Sequence, residues 1–300
     1  MKILPLSSDS MGVRSMATFI ETKDLKVLID PGVALGPYRY GLPPHPIEWK
    51  KLEEDWKVIV NHAIKADVII VTHYHYDHHN PWENLEIYEG KLLILKNPRD
   101  NINYSQRERA QFFLKQIEKL PKRIEIAEEF KMSIGETTLK VSKPVFHGTN
   151  SKLGYVVEVY LREGDESFLY SSDVEGPSLN DQVAFILENK PKVVMIDGPM
   201  TYMLGYRYSI ASLKASIANL RRILESGVEQ MILDHHLLRD LAWRERISEL
   251  LVEAENRRVK ILTSAEYAGK ELNMLEARRK ELYERNPVNR SESKKWVAGE

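Results

Sequence analysis

The sequence predicts a mixed α/β (α+β) fold, a single domain in which helices pack on two β-rich halves. Three observations predict it. Short apolar runs closed by turn residues fill the first third and return between residues 124 and 172. The nearly continuous apolar run ADVIIVTH, residues 66–73, has the character of a strand buried on both faces. No internal repeat or linker divides the 300 residues, and their 43% hydrophobic content is enough for a substantial core.

In chain order, KILPL, SMATFIETK and LKVLID are strand runs with partial alternation, and the last ends at Asp30-Pro31-Gly32, a strong turn signal. Residues 33–47, rich in Gly, Pro and Tyr, read as an irregular surface loop. A helix follows through His62, with His62 on its face, and then comes the strand that ends at His73. KLLILK is the next strand. The polar stretch 97–123 contains the helix-like SQRERAQFFLKQIEKL and reads as a helical insertion near the site. Strands resume with ETTLKVSKPVF and with GYVVEVYLREGDESFLYSSD, a hairpin turning at Gly164-Asp165. KVVMIDG and EQMILDHH are later strands. Between them Ser209 caps a helix whose Ile210, Leu213, Ile217, Leu220 and Leu224 form an apolar stripe, stopped by Gly227. The domain is expected to span 1–287. Its segment 265–287 holds the last strand end and a helix over 271–285, on which Arg278, Arg279 and Lys280 serve an interface or a solvated face. Residues 288–300 are expected to form a polar, mobile tail.

Composition narrows the chemistry. Lys and Arg number 43 against 44 Asp and Glu, so no global basic field singles out nucleic acid as the partner, although a local basic groove is compatible with this balance. No apolar run approaches the roughly 20 residues of a membrane span, and MKILPLSSDS lacks a signal pattern; a cytoplasmic protein without a membrane segment is expected. The absence of cysteine excludes disulfides, thiolate nucleophiles and thiolate metal sites, so a transition metal must be held by imidazole and carboxylate.

Of nine histidines, four fall in Thr72-His73-Tyr74-His75-Tyr76-Asp77-His78-His79. In an extended segment His73 and His75 point the same way, and past a bend Asp77 and His78 address a neighbouring point. So many imidazoles beside a carboxylate are costly to bury without partners, and a divalent metal supplies them.

This segment, His-x-His-x-Asp-His after a hydrophobic strand, resembles the signature of the metallo-β-lactamase superfamily. Further elements of that pattern follow in order over residues 1–265: Asp30 after an early strand, His147 after a middle strand, Asp173 after a hairpin, and a late histidine. The resemblance implies a four-layer αββα sandwich. It implies that His73, His75 and His147 hold one of two divalent metals, that Asp77, His78 and a late histidine hold the other, and that Asp173 bridges them. His235 and His236 compete for the late position, because neighbours leaving a strand point to opposite faces; His235 is favoured. Asp30 is expected to hydrogen-bond a ligand imidazole or the loop backbone, and His79 to orient a phosphate or the metal-bound water or to make a supporting hydrogen bond.

Nitrogen and oxygen donors suit zinc best, with iron or manganese as alternatives. The expected chemistry is hydrolysis by metal-activated water, with Asp77 or Asp173 moving the proton. Residues 196–209, IDGPMTYMLGYRYS, read as a substrate clamp or a structural loop, offering Tyr202, Tyr206, Tyr208 and the planar fork of Arg207. Tyr74, Tyr76 and Trp82 are expected as pocket walls or packing residues. Fold alone does not choose a substrate. The chain most resembles an archaeal branch of metal-dependent hydrolases related to metallo-ribonucleases, which favours phosphodiester or nucleic-acid substrates over small-molecule lactones or esters. An iron oxidoreductase and an inactive metal-binding module are the other classes.

Overall fold

The computed structural model describes residues 1–288. A six-stranded sheet is formed by β1 (Lys2–Pro5), β2 (Thr18–Glu21), β3 (Lys26–Ile29), β4 (Val68–Val71), β5 (Leu92–Leu95) and β6 (Arg123–Ile126), in that order. Its first two pairings are antiparallel and the rest parallel. Helix α1 (Pro46–Ala63) crosses from β3 to β4, and α2 (Tyr104–Ile117) from β5 to β6. The helix expected within 97–123 is thus a β–α–β crossover built into the sheet rather than an insertion: Ala110, Phe113 and Ile117 are fully buried in the core that the sheet itself needs.

The second sheet has seven strands. Its members are β7 (Lys131–Ile134), β8 (Thr137–Val141), β11 (Val159–Glu163), β12 (Glu166–Tyr170), β13 (Val193–Asp197), β14 (Gln230–Asp234) and β15 (Lys260–Leu262), while the short β9 (Val145–Phe146) and β10 (Tyr155–Val156) pair beside it. The hairpin β11–β12 turns at Gly164-Asp165, where Gly164 has φ +55°. Strands β12 to β15 run parallel, linked by α3 (Asp181–Asn189), α4 (Ile210–Glu225) and the pair α5 (Trp243–Arg246) and α6 (Ser248–Asn256); α7 (Ser264–Tyr267) and α8 (Arg279–Arg285) close the described chain.

Strand alternation produces four layers. Ile69 and Val71 of β4 pack with Trp56, Ile59 and Phe113 on the α1/α2 side, whereas Val68 and Ile70 point the other way, against Leu161, Phe168 and Met195 of the second sheet. Leu169, Val194 and Ile196 then face outward onto Val183 and Ile186 of α3 and Leu220 and Ile223 of α4. Three apolar interfaces between four layers make this an αββα sandwich of the metallo-β-lactamase type, and they explain why β4 is apolar at every position.

Three details differ from expectation. Ser209 caps α4 through a 2.9 Å bond from Ser212 N–H, but Ile210 is 62% exposed, and the buried face is Ser216, Asn219, Leu220, Ile223 and Leu224. The helix expected over 271–285 is confined to Arg279–Arg285, because Asn273 N–H is tied to Ser10 O at 2.8 Å and Met274 and Leu275 are drawn into the core. Of the three cations there, Arg278 and Lys280 are exposed, whereas Arg279 is fully buried in a bidentate pair with Glu48, 2.8 Å from each carboxylate oxygen. The tail, from residue 289 on, lies outside the described residues.

Candidate metal centre

The chain delivers its polar side chains where strands end. Asp30 follows β3, Thr72 and His73 follow β4, His147 follows β9, Asp173 follows β12, and His235 follows β14. Within 73–79, His73 and His75 share a side, and the intervening Tyr74 turns into the α1/α2 core, where its hydroxyl donates to Lys96 O at 2.5 Å. A turn at 76–78 then redirects Asp77 and His78. Glycine at 32 permits this packing: a Cβ there would lie 2.3 Å from His79 N and 2.7 Å from His78 N, both backbone atoms that cannot yield.

Two donor sets share one carboxylate. His73, His75, His147 and Asp173 form one; Asp77, His78, Asp173 and His235 form the other. Asp173 lies 3.3 Å from His147 Nε2, 3.7 Å from His73 Nε2, 3.0 Å from His78 Nε2 and 3.2 Å from His235 Nε2. His73 Nε2 is 3.1 Å from His75 Nδ1, and His235 Nε2 is 3.7 Å from Asp77 Oδ2. Donors bonded to zinc tetrahedrally at about 2.0–2.1 Å stand about 3.3–3.4 Å apart, which is the spacing of this cluster. His78 Nε2, His147 Nε2 and Asp173 Oδ1 are buried without hydrogen-bond partners. A divalent cation at each set satisfies these atoms, so the residues present fit the group.

The electrostatics suit that role. Burial, helped by the neighbouring His78, pushes His73 well below its ordinary pKa, and burial with His147 lowers His75 to about 3, which keeps both rings in the neutral, ligating form. Burial also disfavours a charged His78, but Asp173 and Asp30 outweigh it and hold the ring up at about 10 when no metal competes. Asp173 is held well below the carboxylate range because His235 and His78 overcome its burial.

A second ring of contacts fixes the donors. Asp30, fully buried at φ +51°, accepts from Thr72 N–H (2.7 Å), Thr72 Oγ1–H (2.6 Å), Tyr170 O–H (2.8 Å) and His78 Nδ1–H (2.8 Å), so His78 presents Nε2 to the centre. Asp9 does the same for His235: its Oδ2 is 2.7 Å from His235 Nδ1, while its Oδ1 accepts from Arg239 Nε–H at 2.8 Å. Asp30, Ser172, Glu175 and His235 all have positive φ, placing left-handed backbone around the centre.

A UPF0282 protein of Korarchaeum cryptofilum is 64% identical over 296 residues, covering 99% of each chain. The chain belongs to the UPF0282 family. A second member, from Metallosphaera sedula, is 48% identical over 286 residues, with 94% of this chain and 93% of that protein covered. No protein-family model matches the chain. Among solved structures, a possible metal-dependent hydrolase from Veillonella parvula aligns with TM-score 0.51 at 14% identity, over 87% of this chain and 94% of that one. An isothiocyanate hydrolase from Delia radicum gut bacteria aligns with TM-score 0.51 at 16% identity, over 84% and 94%. At these identities the two structures speak to the shared fold.

In this UPF0282 chain the remaining singled-out residues divide. His236 stays outside both donor sets; its Nδ1 lies 2.9 Å from Asp197 Oδ2, and its ring centre is 4.5 Å from that of His235. His79 is buried with Nδ1 3.0 Å from His75 O, packing on Phe113 and Tyr74 rather than joining a donor set. Tyr206 and Arg207 are exposed, and Arg207 reaches the site only electrostatically, through Glu175. Tyr208 is buried, and the Tyr76 ring packs against Trp82 with centres 4.4 Å apart and planes tilted by 53°. Asp9, Asp197 and Arg239 were not singled out by the sequence: Asp9 and Arg239 lie in short 3-10 turns and Asp197 at the end of β13, without motif spacing to mark them.

Proposed function

We propose that this protein is a metal-dependent hydrolase acting on phosphodiester bonds, in a small-molecule or nucleic-acid substrate, with two zinc ions as the resident metals. The observation that carries this reading is the pair of four-residue donor sets joined at Asp173, with buried nitrogen and oxygen atoms left unpartnered at their centre. Bound there, divalent metals supply Lewis acidity and a water whose pKa falls toward 7.

The chain's own residues provide the rest. Asp173 and Asp77 are the carboxylates placed to take a proton from attacking water, and Asp77 is the more accessible, with 15% side-chain exposure. Arg239, held at Nε by Asp9, keeps Nη2 4.0 Å from Asp77 Oδ2 and 3.2 Å from His235 Nε2, a fixed positive charge beside the position where a phosphoryl oxygen gains charge. His236, oriented by Asp197, is available to substrate because no donor set uses it. The Arg239 charge favours a phosphodiester over a neutral lactone.

The test is turnover of bis-p-nitrophenyl phosphate, single-stranded RNA and lactones by zinc- or manganese-loaded protein, with His75→Ala as control. Metal-dependent release of p-nitrophenol, abolished in the variant, is expected. Lactone turnover without phosphodiester turnover, or iron-dependent oxygen consumption, overturns the reading.

A further inference from the structure

A cleft of about 510 Å³ opens beside the metal centre, and Arg239 belongs to both. Two segments singled out in the sequence meet there: the loop 33–47 contributes Arg39, and the loop after β13 contributes Thr201 and Tyr202. Arg246 and Asp240 complete its polar wall.

Arg39 is held as a rigid plate. Its guanidinium lies 4.7 Å from the centre of the Tyr40 ring and 4.6 Å from that of Tyr202, and Nη2 donates to Arg239 O at 2.9 Å. Among the described residues no carboxylate lies within ion-pair distance of it, and its Nε–H is buried without a partner. Thr201, 2% exposed, likewise has an unpartnered hydroxyl. The charges agree: Arg39, Arg239 and Arg246 line the cleft against one lining carboxylate, Asp240, 3.6 Å from Arg246, and Asp9, which pairs with Arg239, so the cleft is positive.

We propose that this cleft is an oxyanion subsite of the same active site, binding a phosphate group of the substrate remote from the bond that is cleaved. The inference rests on the phosphodiester reading and names what it requires of the substrate: a second phosphate. Arg39, the guanidinium without a carboxylate partner, binds it, Arg246 adds charge from the open side, and Arg239 joins the subsite to the centre. Tyr202, one face already covered by Arg39, borders the place where a base or sugar attached to that phosphate rests.

The test is calorimetric titration of the full-length protein, stripped of metal by chelation, with adenosine 5′-monophosphate, inorganic phosphate and citrate. The stripped wild-type protein binds both phosphate probes, and Arg246→Gln weakens binding by about tenfold or more, the loss expected for an ion pair to a charged group. Arg39→Met abolishes binding; should it fail to fold by circular dichroism, Arg246→Gln decides. No phosphate binding by the stripped protein, equal affinity in the variants, or binding of citrate alone overturns the subsite. Metal-dependent phosphodiester turnover in a protein that ignores phosphate when stripped overturns the subsite alone. Variant-sensitive phosphate binding without such turnover upholds the subsite and overturns the reaction.

Discussion

Replacing Asp30 with Asn tests how the second donor set is held. The carboxylate receives four hydrogen bonds, three of them at Oδ2, from Thr72 Oγ1, His78 Nδ1 and Tyr170 O–H. An amide retains one acceptor oxygen, which Thr72 N–H keeps at 2.7 Å, and places an NH₂ group against the other three. His78 then accepts at Nδ1 and carries its proton on Nε2, the atom that faces Asp173 and the centre. Metal affinity at the second set falls about 10- to 100-fold, the usual cost of losing a partner that orients a ligand. Tyr170 O–H, fully buried, loses its acceptor, so the metal-free protein loses about 1–3 kcal/mol. Competition with a chromogenic chelator measures the first effect and urea unfolding of stripped protein the second. Asp30→Asn protein with wild-type metal affinity and wild-type stability would refute the assigned role.

Other perturbations probe independent features. Gly32→Ala forces a methyl group onto the backbone of His78 and His79, and both thermal stability and second-site metal affinity drop together; a variant that melts with the wild type contradicts the close packing. Burial favours protonation of Glu276, but the bidentate Arg14, at 2.6 and 2.7 Å, outweighs it and holds the carboxyl down at about 2, below its ordinary 4.5. Because the folded pKa is the lower one, this pair stabilises fully above 4.5 and its contribution of about 3 kcal/mol is lost as pH falls toward 2. Glu276→Gln therefore flattens that acid limb in urea melts across the same window; an unchanged limb counts against the pair. His236→Ala leaves metal content intact while slowing turnover, and lost metal would place His236 among the ligands.

What the sequence made legible follows from where physical signals are local. The strand runs 2–5, 18–21, 26–29 and 68–71 announce themselves by alternation or by a continuous apolar run, and 73–79 by crowding four histidines and an aspartate into seven residues. Asp9 carried no such signal. It sits in a serine-rich turn and meets His235 across 226 positions of sequence, a contact set by tertiary folding alone. Arg39 and Arg239 were hidden for the same reason, whereas Arg207, conspicuous among aromatics, points to solvent. The alternation rule for His235 and His236 described their divergence, but the left-handed backbone at His235, φ +58°, sets where its ring goes, and Asp197 claims its neighbour. Helix ends failed where packing overrode pattern: Ile210 extends the stripe of α4 on paper yet lies at an exposed first turn, and Asn273 to Leu275 are pinned by Ser10 before α8 begins.

The central claim, two metal sites sharing Asp173, is tested most directly by counting metal in purified protein after loading and desalting. Elemental analysis of the wild type is expected to give about two divalent ions per chain, as in two-metal sites generally. In His235→Ala, which removes a donor from one set only, the count falls to about one. A wild-type protein that retains no metal, or a His235→Ala protein that retains the full wild-type complement, would contradict the account.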